Sequence, residues 1–168
     1  MAVNFVSASS YWMRNTGISI SSGANFYAMT VCNISSAASN SVVFQGASGG
    51  YGHQQNSNSI YAYAGNVNGQ ASNTTTTQIY LESVYNGGGA ANADRLKLYK
   101  NASQLTITSF SGTVPATVSS TGVDVGRPYN IGAAYLNGSI QEVIVWFNDK
   151  SASRTGIESN VNTYYTIY

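Results

Sequence analysis

The sequence predicts an all-β protein: an antiparallel β-sandwich with one short C-terminal helix, formed by residues 1–168 as a single domain. Three observations predict it. Apolar residues alternate with polar ones at a period of two along much of the chain, the pattern of strands with one wet and one dry face. Clusters of Gly, Asn and Ser separate these runs, and such residues favour turns over helices. Hydrophobic residues make up 43% of the chain, enough for a packed core, whereas charged residues make up only 8%, against roughly 25% in ordinary globular domains.

The alternating runs are, in chain order, 28–32, 41–45, 59–64, 78–82, 95–99, 104–108 and 140–147. The last is apolar at successive positions, which places it centrally in a sheet with both faces covered. Turns are expected at 49–52, 66–69, 86–89 and 137–138, where Gly and Asn accept positive φ. Pro115 and Pro128 fall between runs, where a missing N–H does least harm. Near the C-terminus Ile157, Val161 and Tyr164 or Tyr165 recur at helical spacing and predict a short helix packed on a sheet. Thr155, with Glu158 three residues on, forms a candidate capping box.

Composition excludes several functions. Seven basic and six acidic residues are scattered without runs, net charge +1, so nucleic acid is not an expected partner. Cys32 stands alone, which rules out an internal disulfide and reads as a small core residue. With His53 the single histidine, the usual zinc sites are excluded too, and neither metal nor cofactor is expected. No signal peptide is visible at Met1–Phe5 and no segment could span a membrane, yet the composition is that of an exposed protein. The expected location is therefore a virion or the extracellular space.

Catalytic machinery is not expected either. A Ser-His-acid triad would need His53, which lies among glycines and glutamines with no Gly-x-Ser-x-Gly and reads as an exposed loop residue. No spacing sets two carboxylates for glycoside hydrolysis; Glu82 and Glu142 could meet only through the fold, and Glu142 is expected instead to cap or pair with Arg154 beneath the helix. Tyrosine is the sharper signal, with 13 residues against two tryptophans. Tyr61 and Tyr63 project from one strand face, and with Tyr51, His53 and Tyr80 they are the candidate ligand-binding residues, because flat amphipathic rings suit glycan or protein recognition. The same rings suit core packing or a subunit interface. A surface this poor in charge also predicts self-association into a homo-oligomer.

The stretch from Leu136 to Phe147, followed by Ser151, Arg154, Ile157-Glu158 and Tyr164-Tyr165, resembles the C-terminal signature of laminin G-like domains of the concanavalin A-like lectin/glucanase group. Arg95-Leu96-Lys97-Leu98-Tyr99-Lys100-Asn101-Ala102 is similar to that family's strand ending in a Tyr-x-Asn-Gly turn, with Ala102 in place of the glycine. The resemblance implies a jelly roll. The tail Gly156–Tyr165 is most similar to versions in bacteriophage structural proteins, which implies a non-enzymatic virion surface protein, a capsid decoration or tail-associated adhesin. Its partners would be other virion proteins or a cell-surface glycan. A lectin-like carbohydrate-binding module of a secreted bacterial protein is the alternative. The Glu-x-Asp-x-Glu strand of the group's glucanases is absent, and Asp94, Asp124 and Asp149 are isolated where calcium-binding members cluster ligands.

Overall fold

Two antiparallel sheets lie face to face in the computed structural model, which describes residues 2–23, 25–35, 40–73, 77–129 and 133–168, without the side chains of Ser7, Ser21 and Ser22. The six-stranded sheet runs β1 (Val3–Phe5), β13 (Gly138–Trp146), β3 (Asn25–Ile34), β8 (Gln78–Asn86), β9 (Leu96–Lys100), β10 (Ser103–Leu105). The seven-stranded sheet runs β11 (Ile107–Phe110), β7 (Val67–Ser72), β6 (Ser59–Ala64), β5 (Tyr51–Asn56), β4 (Ser41–Gly46), β12 (Val118–Val125), β2 (Met13–Gly23). Between them Phe26, Phe44, Ile60, Leu81 and Leu98 belong to one continuous buried cluster, and Cys32 lies in it as a core residue.

Six of the seven alternating runs lie in strands, apart from Arg95, which ends a helical turn, and Phe147, just past its strand. The expected strand at 104–108 is instead the end of β10 and the start of β11, in different sheets, with the chain crossing at Thr106. β13 is not central: β1 borders only Gly138–Ile140, and beyond that no described strand pairs with its outer side. Both of its faces are apolar because Val143 and Val145 face the other sheet while Ile144 and Trp146 face a helix.

That helix, α2 (Arg154–Tyr165), lies against the outer face of the six-stranded sheet. Val161 is buried among Tyr27, Met29, Val31, Tyr80, Val84 and Tyr99, and Ile157 and Tyr165 join them. Tyr164 is 77% exposed, so the stripe turns inward through Tyr165 rather than Tyr164. The expected capping box does not form. Ser153 is the N-cap and makes no side-chain cap bond, while Glu158 points inward and pairs with Arg154. A single helical turn, α1 (Asn92–Arg95), precedes β9.

His53, expected in an exposed loop, is placed otherwise. It lies on β5, not in a loop, and is buried completely because its ring spans the two sheets. Nδ1 is 2.6 Å from Thr30 Oγ1 on β3 and Nε2 is 3.0 Å from Ser83 Oγ on β8. Burial depresses its pKa to about 3, so the imidazole is neutral.

Gly138, expected in a reversal, instead begins β13, where a Cβ would sit 2.0 Å from the carbonyl oxygen of Asn33. The two-residue hairpin between Lys100 and Ser103 places Asn101 and Ala102 at φ 49 and 63. Asn tolerates this left-handed region; Ala does not, since its Cβ crowds the backbone. Ala102→Gly is expected to stabilise the fold by about 1 kcal/mol, read as a higher urea midpoint with an unchanged slope.

Candidate functional site

Register builds a surface on the outer face of the seven-stranded sheet. Ile60, Ala62 and Ala64 of β6 are buried in the core, so Tyr61 and Tyr63 must face outward. Following strand partners from Tyr63 gives one transverse row: Asn68, Tyr63, Gly52, Gln45, Asp124, Arg14, on β7, β6, β5, β4, β12 and β2. At ~4.8 Å per strand the row spans ~19 Å from Tyr63 to Arg14. Gly52, Gln45 and Asp124 are buried, so the row exposes Tyr63 towards one end and Arg14 at the other. Beside this row lie Gln70, Tyr61 and Gln54. The Tyr63 hydroxyl donates to Gln54 Oε1, and burial holds that phenol up at about 12, a neutral donor at all ordinary pH.

The β2 end of the row is charged and aromatic. Asp124 is buried and accepts hydrogen bonds from Arg14 Nε and Nη2 at 2.6 and 2.7 Å and from Arg127 Nε at 2.8 Å. The centre of the Trp12 ring lies 3.3 Å from the Arg127 guanidinium carbon and 5.0 Å from that of Arg14, and the centre of the Tyr129 ring lies 4.7 Å from that of Arg14. Tyr129 is fixed by its own N–H, which donates to Gln45 Oε1 at 3.1 Å.

The expected ligand-binding residues are therefore split. Tyr61 and Tyr63 share the outer face, half-buried. His53 and Tyr80 are fully buried, His53 between the sheets and Tyr80 beneath α2, where neither can meet a ligand on this face. Tyr51 is buried but borders a second concavity of about 460 Å³ between the sheets, where the edges of β2 and β13 leave the sandwich open. Met13, Ile18, Phe44, Val143, Val145 and Phe147 also line it, and Met13 and Phe147 are exposed there.

Beneath α2 a different cluster forms. The hydroxyls of Tyr27 and Tyr80 both donate to Glu82 Oε1, the latter at 2.8 Å. Arg154 pairs with Glu158 and stands 3.9 Å from Glu82 Oε2, with its guanidinium carbon 4.2 Å from the Tyr99 ring centre. Burial first, and the Glu158 carboxylate second, push Glu82 up to about 9, so it is protonated at neutral pH. Glu82 thus takes the place beneath the helix expected of Glu142, which stands instead beside Asn160, Val161 and Tyr165 at the helix flank. No group of three or more His, Cys, Asp or Glu able to hold a metal occurs among the described residues.

Solved structures share this architecture. A Bacteroides ovatus protein provisionally assigned to carbohydrate binding superposes with TM-score 0.67 at 16% identity over 89% of this chain and 44% of its own. Domains LG4-5 of the mouse laminin alpha1 chain give 0.60 at 12% over 86% and 41%. The fold is that of laminin G-like domains. The sialidase CBM40 domain of Ruminococcus gnavus, solved bound to alpha2,3 sialyllactose, is another such jelly roll, with TM-score 0.58 at 12% over 84% of this chain and 95% of its own. The chain thus spans under half the length of the first two. No protein-family model matches its sequence, and no curated protein is significantly similar to it.

What sequence reading missed was the Arg14–Asp124–Arg127 cluster. Its members are up to 113 positions apart, but two signals were present: Tyr11-Trp12-Met13-Arg14 packs four large side chains into a chain of small ones, and Arg127-Pro128-Tyr129 repeats the pairing of cation and ring.

Proposed function

We propose that this is a non-catalytic recognition domain that binds glycans along the outer face of the seven-stranded sheet, carried on a bacteriophage particle as a capsid decoration or tail-associated adhesin. The observation that carries the glycan reading is the outer face itself: half-buried rings of Tyr61 and Tyr63 with the amides of Gln54 and Gln70 beside them, and at the far end the Arg14 guanidinium with the Trp12 ring. Sugars present apolar C–H faces and rings of hydroxyls, so they are held by flat rings flanked by fixed polar groups. The non-catalytic reading is supported by Glu82 and Glu158, whose carboxyl groups lie buried beneath α2 and have no path to a glycosidic bond. A glycan array should give retained ligands, and Tyr63→Ala should weaken them by about tenfold or more with little change in thermal midpoint. An empty array, or full binding by Tyr63→Ala, would refute the reading.

The particle setting is supported by the tail signature and by the charge-poor surface. The likeness to carbohydrate-binding proteins of Bacteroides ovatus and Ruminococcus gnavus favours the other setting, a module of a secreted bacterial protein. Mass spectrometry of purified particles separates the two. Self-association belongs to the same proposal, through the exposed apolar residues Met13 and Phe147 at the open edge of the sandwich. Light scattering should show a mass above the monomer that Phe147→Glu lowers; a single monomeric mass at all concentrations would exclude it.

A further inference from the structure

We infer that the β2 end of the row, at Arg14, Arg127 and Trp12, is a subsite for the carboxylate of an acidic sugar; this rests on the glycan reading above and names its ligand class.

The charge balance comes first. One carboxylate, Asp124, serves two guanidinium groups, so the cluster keeps one positive charge in excess. Arg154 is the reverse case, one guanidinium facing two carboxyl groups. A structural ion pair needs only one arginine for one buried aspartate; the second invites an anion.

Geometry comes next. Asp124, fully buried, holds Arg14 through two hydrogen bonds, which fixes the plane of its guanidinium group. Among the described residues no hydrogen bond uses Arg14 Nη1 or either terminal nitrogen of Arg127. The Arg14 side chain is 27% exposed and so reaches solvent at the sheet edge. Trp12, 37% exposed, stands beside both guanidinium groups as a wall. A planar carboxylate accepts paired N–H bonds from a guanidinium group, and a sugar ring bonded to it would lie against the indole face. Little ordering is needed on binding, because Asp124 and the rings already hold the cations in place. A polyanion is a poor match: the excess is a single charge and no basic run extends from it.

The test is an array of carboxylated glycans printed beside the same glycans with the carboxyl reduced to an alcohol. Carboxylated members should bind about tenfold more tightly than their reduced partners, and raising NaCl should erase that margin. Arg14→Gln should remove it, Arg14→Lys should restore part of it, and Lys97→Gln on the other sheet should leave it intact. Arg127 still neutralises Asp124 in Arg14→Gln, and a thermal midpoint near that of the parent confirms the fold. Equal binding of carboxylated and reduced glycans overturns this inference while the glycan reading stands. No binding to any member overturns both.

Discussion

A chain stopped after Ser151 is expected to show no cooperative thermal transition and to accumulate in the insoluble fraction. The reason lies in what α2 covers. Tyr27, Met29, Val31, Tyr80, Val84 and Tyr99 form an apolar face as hydrophobic as part of a core, and without the helix it would be exposed on the sheet. The same cut removes Arg154, the cation facing Glu82, and leaves a carboxyl group with two tyrosine hydroxyls and no charge partner. The helix itself contributes little intrinsic stability, being twelve residues rich in Ser, Asn and Thr, so its order comes from this packing. A milder variant separates packing from chain length. Val161→Asp places a carboxylate in the buried seam and should cost about 3 kcal/mol or more. A soluble truncated chain with the parent's melting temperature would show that α2 is an appendage.

The helix also shows how far the sequence can be read. Its apolar spacing was visible in Ile157 and Val161, yet periodicity could not choose between Tyr164 and Tyr165, since three and four residues beyond Val161 both fall near the stripe, ~60° to one side and ~40° to the other. Strands with dry, β-branched faces, such as β3, β8 and β13, were legible for the same reason. β5 and β7 were not, because their inward faces are Tyr51, His53 and Gln55, or Val67, Gly69 and Ala71, which carry too little apolar contrast. His53 illustrates the limit: a histidine flanked by Gly52 and two glutamines reads as loop, and only the opposite sheet, through Thr30 and Ser83, supplies the partners that let it be buried. The site was half legible. Tyr61 and Tyr63 announce themselves by spacing, whereas Asp124 meets Arg14 across 110 positions, a contact made by the pairing of β12 with β2.

Two buried titrating groups set an expected pH profile of stability. His53 is depressed from 6.5 to about 3 by burial, so the unfolded chain takes up a proton below 6.5 that the folded chain refuses. That contribution is present above 6.5 and is lost as pH falls toward 3. Glu82 is raised from 4.5 to about 9, so the folded chain keeps a proton that the unfolded chain releases. Its contribution is present below 4.5 and is lost as pH rises toward 9. Between 4.5 and 6.5 the two effects cancel, because unfolding releases one proton from Glu82 and binds one at His53. From these groups a plateau is therefore expected over that interval, falling on both sides with a limiting slope of about 1.4 kcal/mol per pH unit. Urea midpoints measured from pH 3 to 10 would trace it. Glu82→Gln keeps an acceptor for Tyr27 and Tyr80 but cannot ionise, so it should flatten the alkaline limb and leave the acid limb in place. His53→Gln should do the reverse from a lower plateau, since it breaks the bridge to Thr30 and Ser83. An alkaline limb unchanged in Glu82→Gln would mean that Glu82 is already ionised in the folded protein, with Arg154 compensating both carboxylates.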